Sequence, residues 1–139
     1  MKKLIFVVSL LLSAASAFAQ TDISKFEGTW KRQYTAFGPR REYIRIENRE
    51  DGINVRFKQI NEAYDDNPEE VFYSQGENVS YDGETIHCVV PYNPWGVKIT
   101  YKITIKEGVL HCWFKRIIPD DNWEDKGGTV LYYNENDNW

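Results

Sequence analysis

The chain has 139 residues, 15% of them aromatic, and carries 17 basic and 21 acidic side chains. This length fits one domain with a modest core. The excess of acid disfavours a nucleic-acid partner, because binding to a phosphate backbone depends on clustered Lys and Arg.

The first predicted element is a secretory signal peptide, residues 1–19. Two lysines precede an apolar run from Leu4 to Leu12, and small residues lead to Ala17-Phe18-Ala19. The run is too short to span a bilayer and no second apolar stretch follows it, so we expect no membrane span. We therefore expect an exported protein, periplasmic or extracellular, with a single domain over residues 20–139. In that domain 15 basic residues stand against 21 acidic ones, a formal charge of −6.

The rest of the sequence consists of short runs that alternate between apolar and polar residues, as β-strands do. The clearest run is Val97 to Ile105, where odd positions are apolar and even positions polar. Gly76 predicts a bulge in the fourth strand. Eight strands are predicted, over residues 29–36, 41–47, 53–60, 70–80, 84–91, 97–106, 109–118 and 127–134.

Three hairpin turns predict how these strands pair. The turns lie at Glu107-Gly108, at Asp82-Gly83 and between Asn48 and Gly52. The expected pairs are Ile105 with Leu110, Ile103 with Cys112, Tyr101 with Phe114, Ile99 with Arg116, Val79 with Ile86, Ile46 with Ile53, and Ile44 with Val55.

The connections between the strands alternate in length. The first, third, fifth and seventh are long and the others are tight, so an antiparallel meander gathers the long loops at one end. Eight strands are also enough for an up-and-down sheet to close and remove its edges. The sequence therefore predicts an all-β, eight-stranded antiparallel up-and-down barrel with a mouth and a floor.

The stretch Phe26-Glu27-Gly28-Thr29-Trp30 begins the first strand, at the floor. It resembles the Gly-x-Trp opening of the lipocalins and of the wider calycin group, which includes fatty-acid-binding proteins and avidins. The resemblance implies a small bacterial lipocalin-like barrel. Trp30 would plug the floor with Phe26, and Gly28 would let the backbone pass close beneath. The chain departs from the fatty-acid-binding proteins by lacking a helical pair after the first strand. It departs from the lipocalins by lacking a basic residue on the last strand to pack on the Trp.

An eight-stranded barrel is wide enough to hold one small ligand, or it is filled by its own side chains. Arg32 and Arg116 share the phase of inward apolar neighbours, where they could pair with a ligand carboxylate, reach solvent, or stack on Trp30. The predicted ligand-binding residues are Tyr34, Phe57, Tyr101, Phe114, Arg32, Arg116 and Tyr132. The predicted mouth residues are Phe37, Tyr64, Tyr92, Trp95 and Trp123.

The expected function is non-covalent binding of a small apolar or amphipathic molecule, without a cofactor. An enzyme is not expected, because the sequence has no Gly-x-Ser-x-Gly, no His-Glu-x-x-His and no Gly-rich phosphate loop. The alternative is a filled barrel that binds a protein, as an inhibitor or an envelope assembly component. It draws support from the outer face of the seventh strand, where Val109, His111, Trp113 and Ile117 interrupt a polar row; that face is also a candidate homodimer seam.

The dipeptides His87-Cys88 and His111-Cys112 contain residue types that bind metals. Adjacent residues on a strand point to opposite faces, so we expect no metal site from them. Export favours a disulfide. The predicted strand order instead separates the two cysteines by a whole strand, beyond bonding reach, and so favours buried, unpaired thiols.

Overall fold

A computed structural model of the chain describes residues 23–32, 40–92, 97–117, 125–135 and 139. The predicted signal peptide lies outside these ranges. The described chain begins with a short 3-10 helix, Ile23–Phe26, and forms nine strands. In order these are β1 (Gly28–Arg32), β2 (Arg40–Arg49), β3 (Gly52–Asn61), β4 (Glu70–Gln75), β5 (Glu77–Tyr81), β6 (Ile86–Tyr92), β7 (Val97–Lys106), β8 (Val109–Ile117) and β9 (Gly128–Glu135).

All nine strands form one antiparallel sheet, in the order β4-β3-β2-β1-β9-β8-β7-β6-β5. β1 pairs with β9, so the first and last strands join the two halves of the sheet. β4 and β5 lie at the two ends of the order, and β4 approaches β6 across the seam between them. The fold is therefore a nearly closed, antiparallel, up-and-down β-barrel, as the alternating pattern predicted.

The predicted count of eight strands is wrong, because the stretch over residues 70–80 is divided at Gly76. β4 pairs with β3, whereas β5 pairs with β6 on the other side of the seam. At the crossing, the Gly76 N–H donates to the Val55 carbonyl at 2.8 Å. The irregularity in pairing lies further on, between Glu77 and Ser80, where Asn78 has a φ of 51°.

The pairing predicted for the β7–β8 hairpin is confirmed in full, with Tyr101 opposite Phe114 and Ile103 opposite Cys112. The pairing predicted for the β2–β3 hairpin is wrong by two residues. Ile46 lies opposite Val55, because both strands continue to a two-residue turn after Arg49. A shift of two keeps each side chain on its face, so the inward set is unchanged.

The pairing predicted at Asp82-Gly83 is also wrong by two residues, since Tyr81 rather than Val79 lies opposite Ile86. The carboxylate of Asp82 explains the longer loop. Its Oδ1 accepts hydrogen bonds from the N–H groups of Glu84 and Thr85, at 2.9 and 2.7 Å. These bonds stabilise a four-residue loop over residues 82–85.

The hydrophobic core fills the end of the barrel where the tight turns lie. Cys88 and Cys112 belong to it as unpaired thiols, with β7 between their strands, as the predicted strand order required. Among the residues described, no helix is long and apolar enough to cross a bilayer. The core residues are Ile23, Phe26, Trp30, Ile44, Ile46, Val55, Ile86, Cys88, Ile103, Leu110, Cys112 and Tyr132.

Candidate ligand-binding site

The predicted floor residues lie together at the tight-turn end of the barrel. Trp30 is 2% exposed, and its indole Nε1 donates to the Phe26 carbonyl at 2.8 Å. The Phe26 ring packs edge-on against Tyr81, with ring centroids 5.7 Å apart. The bond between Trp30 and Phe26 satisfies a buried indole N–H and holds the 3-10 helix across the end of the barrel.

Gly28 is required for a different reason from the one predicted. A Cβ at this position would meet only the Asn134 side chain, at an ordinary distance of 3.7 Å. The backbone φ is +126°, a conformation that residues with a side chain rarely adopt. Backbone conformation, and not close approach, therefore favours glycine at the start of β1.

Three predicted site residues form an aromatic layer above the core: Phe57, Tyr101 and Phe114. Phe57 and Tyr101 have ring centroids 4.6 Å apart, although β3 and β7 are not neighbours in the sheet. Their rings therefore meet across the interior. Phe114 lies beside Tyr101 at 6.4 Å. Burial raises the pKa of Tyr101 well above its usual range, so this phenol is neutral at physiological pH.

A polar cluster lies on the mouth side of the aromatic layer. Its centre is Glu42, which forms ion pairs with Arg32 and with Arg40. Arg40 also donates to Gln59 Oε1, and Gln59 Nε2 donates to Asn61 Oδ1 at 3.0 Å. Arg32 and Glu42 are both less than one-third exposed, so the charges sit within the mouth rather than in bulk water.

The polar cluster has a hydrogen-bond donor that an acceptor from outside could use. Arg32 Nε makes no hydrogen bond to a group in the described ranges, a state that it shares with Arg41 Nε and Arg56 Nε on the outer face. A donor without a partner is costly, and a water or ligand oxygen would relieve that cost.

The other predicted ligand-binding residues have different environments. Tyr132 is buried in the core, opposite Leu110 and Arg32, below the polar cluster. Arg116 has an exposed side chain. Its backbone N–H donates to Asp125 Oδ2 at 2.8 Å, and this bond helps to hold the pKa of Asp125 below its usual range.

The predicted mouth set lies mostly outside the described residues. This holds for Phe37, Trp95 and Trp123, for the predicted ligand-binding residue Tyr34, and for the side chain of Tyr92. Tyr64 is described and is strongly exposed, in a loop that begins with Glu62 and includes Asp65 and Asp66. The described part of the mouth is therefore acidic and aromatic on its rim.

One pocket, of about 320 Å³, lies at the paired strands β3 and β4. Phe57 and Ser74 contribute to it from the inner face, and Tyr73 and Gln75 from the outer face. Trp139 and Arg56 complete its wall.

The outer face near Trp113 forms a separate groove of about 440 Å³. His87 and His111 both line it, whereas Cys88 and Cys112 are buried, as the alternation of strand residues required. Within the described ranges, no group of three His, Cys, Asp or Glu side chains is arranged to hold a metal ion. The Trp113 ring packs on Gly127 and lies under Lys102, whose Nζ is 4.9 Å from the ring centroid.

Glu42, the centre of the polar cluster, was not predicted from the sequence. Glu42 has the same phase as Ile44 and Ile46, and Gln59 has the same phase as Val55 and Phe57. That periodicity was the available signal, because a charged residue in phase with a buried row points inward.

Neither a scan of protein-family models nor searches of curated proteins and of solved structures returned a match to this chain.

Proposed function

We propose that this protein is a lipocalin-like carrier that binds one small amphipathic molecule, non-covalently, in the mouth half of the barrel. The observation that carries the proposal is the aromatic layer of Phe57, Tyr101 and Phe114 directly beneath the polar cluster around Glu42. An apolar surface next to a few fixed polar groups is the usual composition of a small-molecule site. The protein is proposed to bind this molecule without catalysing a reaction on it.

The position of the ligand follows from the packing. The core fills the closed end, and the contact between Phe57 and Tyr101 crosses the interior above it. A ligand would therefore lie on top of the aromatic layer or move these rings aside. Burial of apolar area contributes roughly 25 cal/mol per Å² and would supply most of the affinity.

The polar end of the ligand would face Arg32. A carboxylate, sulfonate or carbonyl oxygen there would accept the hydrogen bond that Arg32 Nε lacks among the described residues. Charge-assisted bonds of this kind are stronger than neutral ones, so the ligand is expected to carry an acceptor, and preferably an anion, at one end.

The test uses two fluorescent probes of similar size, the anionic anilinonaphthalene sulfonate and the neutral N-phenyl-1-naphthylamine. We expect saturable binding of both probes to the wild-type protein, with one site per chain. Tyr101→Ala combined with Phe114→Ala should weaken both by about tenfold or more, since each ring contributes roughly 1 kcal/mol or more of apolar contact. Arg32→Gln should weaken the sulfonate selectively.

The matched control is Tyr43→Ala, which removes an aromatic ring from the outer face of β2 and should leave both affinities unchanged. Circular dichroism of each variant separates loss of binding from loss of folding. Unchanged probe affinity in the Tyr101 and Phe114 double variant would refute the interior site. Absence of saturable binding to the wild-type protein would refute the carrier itself.

A protein-binding barrel remains the second candidate, supported by the groove beside Trp113 and by the exposed Ile117 on the same strand. Local packing already accounts for part of this apolar surface, because Trp113 lies against Gly127 and Lys102. The interior site therefore has the stronger support.

A further inference from the structure

The outer face of the barrel carries a row of alternating tyrosines and lysines, defined here as the Tyr–Lys row. Lys31 on β1 lies opposite Tyr133 on β9 and opposite Tyr43 on β2. Tyr43 lies opposite Lys58 on β3, which in turn lies opposite Tyr73 on β4. The row therefore reads Tyr-Lys-Tyr-Lys-Tyr across five neighbouring strands.

The two end residues of the row are exposed, and the three between them are half-buried. Tyr73 is 65% exposed and Tyr133 is 39% exposed. Lys31 Nζ lies 5.9 Å from the centre of the Tyr43 ring, and Lys58 Nζ lies 5.7 Å from that of Tyr73 and 5.8 Å from that of Trp139. Such exposed cation–π contacts are worth roughly 0.5–1 kcal/mol, so an anion can draw the ammonium groups away from the rings at small cost.

An arginine cluster lies beside the Tyr–Lys row on the same face. Arg45, Arg49 and Arg56 all form ion pairs with one carboxylate, Glu47. Sharing among three guanidinium groups lowers the pKa of Glu47, chiefly through its hydrogen bonds from Arg49 and Arg56. Two positive charges of the cluster are not balanced within it.

The two groups together form a cationic centre on the outer face of an acidic protein. They hold five cations and one carboxylate, Glu47, while the other acids lie at their margins: Glu135 at the β9 edge, Glu27 beside Asn48, and Glu50 and Asp51 in the turn after Arg49. The cations are thus concentrated within the two groups, and the acids lie around them. A positive field of this kind attracts and orients an anionic partner.

We propose that the Tyr–Lys row and the arginine cluster form a binding surface for a linear anionic polysaccharide. The chain of sugars would run across the strands, with sugar rings against the tyrosines and acidic groups on the lysines and arginines. This surface is separate from the interior site, and the proposal does not depend on the proposed function.

The spacing of the row favours this partner. Neighbouring strands are about 4.8 Å apart, so the two lysines recur at about 9.6 Å along the row. That repeat is close to the length of one disaccharide, and it matches a polymer with an acid on every second sugar. A nucleic-acid strand carries a charge on every nucleotide, which is a closer repeat.

The curvature of the row also favours a polysaccharide as the partner. Five of the nine strands contribute to it, so the row bends around roughly half of a barrel. A flat bilayer surface would touch only part of such a row, whereas a flexible polymer can follow all of it.

The test is titration of the full-length protein with a hyaluronan decasaccharide, in which neutral and acidic sugars alternate, at low and at physiological salt. We expect binding that weakens as salt rises, because exposed charges are screened. Lys31→Gln combined with Lys58→Gln should weaken it by about tenfold through loss of two charge-assisted contacts. Tyr73→Ala should also weaken binding of the decasaccharide, although this substitution leaves the net charge unchanged.

The matched control is Lys102→Gln combined with Lys106→Gln, which changes the net charge equally on the outer face at the opposite side of the barrel and should alter the affinity by less than about twofold. Equal losses in the two lysine pairs would show diffuse attraction and overturn the proposal. So would tighter binding of a thymidine decanucleotide, or of vesicles containing phosphatidylglycerol, than of the decasaccharide. Failure of the decasaccharide to bind the wild-type protein at low salt would also overturn it.

Discussion

Gly76 allows the chain to cross from one side of the barrel seam to the other. An added Cβ would lie 3.2 Å from the Val55 carbonyl and 3.3 Å from Cys88 Cβ and Sγ. These contacts are tighter than ordinary packing, and the Val55 carbonyl already accepts the Gly76 N–H. Gly76→Ala should therefore lower the free energy of unfolding by about 1–3 kcal/mol, as overpacking does, measured by urea denaturation.

The control for this prediction is Gly128→Ala at the start of β9. The nearest atoms to its Cβ would be Phe114 ring carbons at 3.9 Å, an ordinary contact distance. Its expected effect is within about 0.5 kcal/mol of zero. Equal losses at the two positions would contradict the close approach at the seam.

Single residues also mark where sequence reasoning succeeds and where it stops. Trp30 was predicted at the floor, and it lies buried at the tight-turn end. Glu42 was not predicted to be part of a site, because its inward direction emerges only when its phase is compared with that of Ile44. Its ion pairs with Arg32 and Arg40 depend on residues that the strand pairing brings together.

At the level of elements, β4 is one of the two edge strands of the sheet. It pairs with β3 on one side, and no strand in the described ranges pairs with its other side. Alternate backbone groups of Glu70–Gln75 therefore face away from β3 without a strand partner. Phe72 is 50% exposed and most of its neighbours on β4 are exposed too.

The amides of β4 should consequently exchange with deuterium much faster than those of β8, Val109–Ile117, which pairs on both sides. Local opening of an edge strand breaks fewer contacts than opening of a central one. Hydrogen exchange followed by mass spectrometry, with peptides from the two strands compared in one sample, measures the difference. Equal protection of β4 and β8 would indicate that the seam is closed by another segment.

The β7–β8 hairpin and β4 also show what strand patterns can predict. Strict alternation and the Glu107-Gly108 turn both specified the β7–β8 register, and the structure confirms every predicted pair. No comparable agreement existed over residues 70–80. The division at Gly76 follows from closure of the sheet, a property of the whole barrel that no local pattern contains.

The distribution of charge belongs to the whole molecule. Composition disfavoured a nucleic-acid partner for an acidic chain, yet Lys31 on β1, Arg45 on β2 and Lys58 on β3 lie on one outer face. They are well separated in sequence, and only the meander assembles them. Net charge therefore constrained the average field of the protein and not the field at one face.

The stability of the whole barrel should fall at alkaline pH because of its two buried thiols. Burial raises the pKa of Cys88 to about 12 and raises that of Cys112 well above its ordinary value of 9.0. Above pH 9 the unfolded chain loses these protons while the folded chain keeps them. The unfolded state then binds fewer protons, so the free energy of unfolding decreases as pH rises from 9 towards 12.

The expected loss is about 1.4 kcal/mol per thiol between pH 8 and pH 10, measured by urea denaturation with a reductant present. Cys88→Ala combined with Cys112→Ala will lower stability at every pH through the cavities it creates. The decisive measurement is the slope of the free energy of unfolding against pH, which should be flatter for this double variant than for the wild-type protein between pH 8 and pH 10. The same slope in both proteins would show that the thiols do not control the alkaline transition, and that the core around β6 and β8 admits solvent.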